Sequence, residues 1–147
     1  MTRSKRMQSV VEVTASSERE SARVLGELQK RVQAAEQRYQ ELIRYREDYT
    51  QQFANGGSLT VARLQDYRIF LSRLNQAVEQ QQQLVERAQQ DCAKQRQRWM
   101  EIHTRVQALG KVVTRYRDEE RSDNDRREQK DSDAQSQQCR PGERDDE

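Results

Sequence analysis

The chain has 147 residues, of which 32% are hydrophobic and 35% charged, and its mean hydropathy is −1.29. So little apolar material excludes a compact globule, and no segment approaches the length and apolarity of a membrane span. The formal charge of +2 conceals an uneven distribution: acids outnumber bases twelve to six from Asp118 to Glu147, so the first 117 residues carry a net charge of +8. A basic body with an acidic tail points to an acidic partner surface or to screening by the tail itself.

The N-terminal segment, Met1-Thr-Arg-Ser-Lys-Arg-Met7, is basic but is followed by no apolar core. It is therefore not expected to be a signal peptide, and the protein is expected in the cytoplasm. A first heptad series follows at Leu25, Leu28, Val32, Ala35, Tyr39, Leu42, Arg46, Tyr49 and Phe53. A repeat averaging about 3.5 residues keeps one helix face turned toward a partner helix. Upstream the same phase falls on Val11, Thr14, Glu18 and Ser21, so the first helix is expected to begin between residues 8 and 18.

Asn55-Gly56-Gly57-Ser58 is the strong turn signal in the body of the chain. Paired glycines disfavour a helix interior and readily take positive φ. Ser58 or Thr60 is placed to cap the next helix. A second seam then runs without a skip from Leu64 through Tyr67, Leu71, Leu74 and Val78 to Val106, Leu109, Val113 and Tyr116. Only Gln81 and Gln95 are polar on it.

Two heptad helices joined by a short turn predict an all-α fold, an antiparallel coiled-coil hairpin over residues 1–117. The preferred register sets Tyr49 opposite Leu64, Arg46 opposite Tyr67, Val32 opposite Gln81, Ser21 opposite Cys92 and Glu18 opposite Gln95. Trp99 then faces Thr14, and Arg46 needs Asp66 or Glu47 as its partner. With a first helix starting late, Val106, Leu109, Val113 and Tyr116 overhang without an internal partner, and such a stripe marks an interaction site. Residues 118–147 contain no apolar anchor and are expected to form an acidic, disordered tail whose first turns extend the helix.

Catalytic chemistry is not expected. Gly56-Gly57 lacks the Lys-Ser/Thr of a phosphate loop, His103 is the sole histidine, and the carboxylates sit on solvated helix faces. No cofactor or metal is expected. Cys92 lies on the seam as a small core residue, and Cys139 lies in the tail, which fits a reducing compartment. Lys and Arg are interleaved with Glu and Gln rather than massed in a block, which argues against nucleic acid. What remains is surface. Phe70, Leu74, Ala77 and Gln81 form a stripe along one edge of the second helix, although periodicity alone favours Phe70 folding over the seam and widening the core. Bases are dense at the open end, among them Arg96, Arg98 and Arg105.

Three stretches carry a family resemblance. They are Ala22-Arg-Val-Leu-Gly-Glu-Leu28 continuing through Tyr39 to Tyr49, then Tyr67-Arg-Ile-Phe70-Leu-Ser-Arg-Leu74-Asn-Gln-Ala77-Val-Glu-Gln80, and Trp99 with Arg105-Val-Gln-Ala-Leu109. In that order, and with the glycine turn between the first two, the chain resembles FliJ, the coiled-coil protein of the bacterial flagellar type III export apparatus. The resemblance implies a hairpin similar to the stalk of a rotary ATPase. It implies that the open end enters a hexameric export ATPase, that the protein contacts the cytoplasmic domain of the membrane export gate, and that it handles export chaperones. Peripheral association with the inner membrane, without insertion, is implied too. The family's gate contact carries onto Phe70, Leu74, Ala77 and Gln81, the last standing where histidine can occur. The ATPase contact is expected at Arg96, Arg98, Trp99, Arg105, Val106, Leu109 and Val113. Two rivals stay open: a structural coiled coil dimerising through parallel 59–117 helices, and a prefoldin-like holdase binding clients at its tips.

Overall fold

The computed structural model describes residues 2–139. Two helices account for nearly all of them, α1 over Arg3–Asn55 and α2 over Val61–Gln138. Among the described residues there is no strand, and no helix is long and apolar enough to cross a membrane. The chain divides into two compact units. One is Ser17–Ile102, and the other combines Met1–Ser16 with the chain from His103 onward.

The first unit is the antiparallel hairpin that the heptads predict. Its link is short because each helix runs almost to the glycines. Gly57 has φ +26°, a backbone region that side chains with a Cβ avoid. The Gly56 N–H donates to the Phe53 carbonyl at 3.4 Å. Thr60 is the cap of α2, its Oγ1 accepting the Arg63 N–H at 3.2 Å. Arg63 also leans back over the turn, its guanidinium 5.8 Å from the Phe53 ring centre.

The core is a thin seam. Leu74, Val78 and Cys92 are its buried apolar residues in this unit, and Ser21 and Gln95 are buried polar ones. Both polar misfits are satisfied. Gln95 Nε2 donates to the Ser21 carbonyl and to Ser21 Oγ, each at 3.0 Å. Gln81 Nε2 donates to the Ala35 carbonyl at 3.0 Å. The two amides bond one turn away from the positions expected to face them, Glu18 for Gln95 and Val32 for Gln81. Tyr49 likewise meets Tyr67, one turn beyond the expected Leu64, and Phe70. The cause is geometric. Side chains lean toward the N-terminus of their own helix, so in an antiparallel pair the contacts fall about one turn away from level Cα positions.

The second unit corrects two further expectations. The first helix starts at Arg3, not between 8 and 18, and Val113 is only 4% exposed. Ser4 is buried as well and bonds Glu120. The stripe expected to overhang is therefore covered within the chain. In addition, α2 passes Gly110 unbroken and continues to Gln138, beyond the boundary drawn at 117. Arg, Glu, Gln and Lys are good helix formers, and no Gly or Pro interrupts residues 111–139. Residues 140–147 of the expected tail lie outside the described residues.

Candidate partner-binding surfaces

The stripe of Phe70, Leu74, Ala77 and Gln81 lies in the Ser17–Ile102 unit, on the stretch of α2 that follows the turn. The residues do not share one environment. Leu74 is buried at 6% exposure, whereas Phe70, Ala77 and Gln81 are half-buried. Phe70 packs inward against Tyr49, ring centres 4.4 Å apart, and edge-on to Tyr45 at 6.1 Å. The widened-core reading of Phe70 thus describes its inner face. Its margin stays open, and Tyr45 beside it is 52% exposed. Ile69, the neighbour of Phe70 in sequence, is 54% exposed.

An aromatic cluster supports this edge. Phe53 and Tyr67 stack at 3.7 Å and Tyr49 and Tyr67 at 5.5 Å. Stacked rings fix one another's orientation and add stabilisation beyond their buried area. Phe70 is thereby held at a defined place on the helix surface. Tyr45 was missed by the sequence reading because it stands one step off the heptad series. Its spacing of four residues before Tyr49 was the signal that could have found it.

Gln81 is engaged inside the hairpin through its bond to Ala35. Arg46 is half-buried, and its Nη1 donates to Asn75 Oδ1 at 3.3 Å. Its partner is thus Asn75 and not the expected Asp66 or Glu47. Asn75 stands one turn beyond Leu71, in the direction in which contacts are offset by the lean of the side chains. Beside this contact an open groove of about 450 Å³ is lined by Glu47, Thr50, Gln51 and Leu71.

The residues expected to meet the ATPase fall into two groups. Arg96 and Arg98 are exposed and Trp99 half-buried in the Ser17–Ile102 unit. In the other unit Arg105 is exposed, Val106 and Leu109 are half-buried, and Val113 is buried. Thr14, expected to face Trp99, donates its hydroxyl to the Val10 carbonyl of its own helix at 2.9 Å.

Glu120 has the perturbed carboxyl of that second unit. Hydrogen bonds from the Ser4 hydroxyl and then the Ser4 amide hold it below the usual carboxylate range, and Arg3 and Arg117 add to the effect. Among the described residues no group of three His, Cys, Asp or Glu side chains could hold a metal ion.

A family model described as "Flagellar FliJ protein" matches residues 3–140. No curated protein and no solved structure gives a significant match.

Proposed function

The chain belongs to the flagellar FliJ family, a non-catalytic component associated with flagellar export, and from that premise we propose that it couples the export ATPase to the export gate in the cytoplasm. The edge of α2 at Phe70, Leu74, Ala77 and Gln81 is the gate-facing surface, with Tyr45 of α1 completing it. The observation that carries this reading is the pairing of Phe70 with Tyr45. Two aromatic side chains from different helices meet at one margin, and one of them is half in solvent. Rings held partly exposed by a rigid support lose little entropy on binding and are typical interface anchors.

Within that edge the roles differ. Phe70 and Tyr45 offer contact area, Leu74 holds the helix in place, and Gln81 fixes the pairing of the helices. Arg96, Arg98 and Arg105 present positive charge to the ATPase ring, which favours rapid encounter with an acidic surface. Handling of export chaperones and peripheral association at the inner membrane belong to the same proposal. A dimer through parallel 59–117 helices finds less support, because the first helix of the chain already occupies the seam.

The test separates docking from folding. Tyr45→Ala and Phe70→Ala are expected to keep a helical circular dichroism spectrum. Each is expected to weaken binding to the purified cytoplasmic domain of the gate by about tenfold or more, as for an anchor worth over 1.4 kcal/mol, and to reduce motility. Helical variants that bind the gate as wild type does would sink the proposal.

A further inference from the structure

The first turn of α1 contains no acidic residue, while Arg3, Lys5 and Arg6 stand there. Bases are unfavourable at the positive end of a helix dipole, and the first four N–H groups lack acceptors within the helix. Thr2 relieves one of them, its Oγ1 accepting the Lys5 N–H at 3.4 Å. The remaining relief comes from α2. Glu120 accepts the Ser4 N–H at 3.0 Å on one carboxylate oxygen and the Ser4 hydroxyl at 2.7 Å on the other. Glu119 lies 3.7 Å from the Arg3 guanidinium, which also sits 4.9 Å over the Tyr116 ring. Arg117 donates to Gln8 at 3.1 Å.

These contacts tie down the part of α1 whose apolar cover is thinnest. Its half-buried apolar side chains are Met7, Val11 and Ala15, while Val10 and Val13 are 48% and 71% exposed. Opposite them stand Val106, Leu109 and Val113, whose heptad pattern alone would make a good docking stripe. A segment with unfavourable charges at its head and little apolar grip depends strongly on the carboxylate that accepts both hydrogen bonds of Ser4.

We propose that Ser4 and Glu120 form a latch that keeps residues 3–16 over the stripe of Val106, Leu109 and Val113, and that opening the latch bares the stripe to a partner protein. Identifying this partner as the export ATPase rests on the function proposed above; the latch does not.

Amide hydrogen exchange on the full chain tests it, comparing wild type with Glu120→Ala, Ser4→Ala and the exposed control Glu128→Ala. In Glu120→Ala the amides of residues 8–14 should exchange on the order of tenfold faster, the scale set by a lost charge-assisted bond. Anilinonaphthalene sulfonate fluorescence should rise with it. Ser4→Ala should show the same pattern more weakly, and Glu128→Ala none. Amides of residues 70–95 should be unaffected in all three, which shows that each variant is folded. Unchanged exchange at 8–14 in Glu120→Ala overturns the latch, and so does acceleration confined to residues 4–7, which is only fraying of the first turn. The ATPase is then added as a separate arm. If Glu120→Ala opens but binds the ATPase no more tightly than wild type does, the ATPase reading fails and the latch stands.

Discussion

The end of the hairpin beside the turn and the unit that holds the N-terminus are fastened by opposite kinds of chemistry. Beside the turn, Tyr45, Tyr49, Phe53, Tyr67 and Phe70 pack ring against ring, with centres of the touching pairs from 3.7 to 6.1 Å apart. In the other unit the fastening is a carboxylate on a serine, an arginine on a ring and two polar pairs. Apolar stacking is nearly indifferent to pH and salt, whereas the polar fastening depends on charge states and is screened by ions. The difference teaches that helix pairing is secured permanently at one place and conditionally at another.

That contrast is broken most severely by removing the apolar side. Leu74→Ala should cost about 2–4 kcal/mol of global stability, the usual range for a buried leucine, read from a denaturant midpoint. A smaller effect is expected at the buried polar layer. Gln95→Ala leaves the Ser21 hydroxyl without its partner and should cost about 1–2 kcal/mol; a loss close to zero would mean that water replaces the amide.

The smallest global effect, and the sharpest for the comparison, is that of pH. The Glu120 carboxyl is held below its ordinary value of 4.5, so the folded state favours its charged form. The contact's contribution is fully present above pH 4.5 and is lost as the pH falls through the lower folded value. Arg3 and Arg117 are the bases that act on Glu120, and Glu119 is the other carboxyl facing Arg3. Exchange at residues 8–14 should therefore quicken, relative to intrinsic rates, as the pH falls below 4.5, while exchange near Tyr67 does not.

Much of this was legible in the residues. The uninterrupted seam, the Gly56-Gly57 turn and a cap at Ser58 or Thr60 follow from spacing and turn chemistry, and the stretches around Tyr49 and Phe70 carry the family resemblance. The individual contacts were not legible, because heptad letters pair Cα levels while contacts follow the lean of side chains, as Gln95 on Ser21 shows. Nor was the early start of α1. Its caps are Thr2, next to a run of bases, and Glu120, which lies 116 residues away in the chain. The helix from 118 to 138 was missed because the absence of apolar residues argues for disorder, while its propensity and the Ser4 contact argue for helix.

The short link between Asn55 and Val61 also sets the order in which the protein assembles. Tyr49 and Tyr67 can meet by closing only a small loop, a modest entropic cost, and each further pair then closes onto structure already formed. Pairing should spread like a zip from the glycines. Ser4, made first on the ribosome, is among the last residues to find its partner.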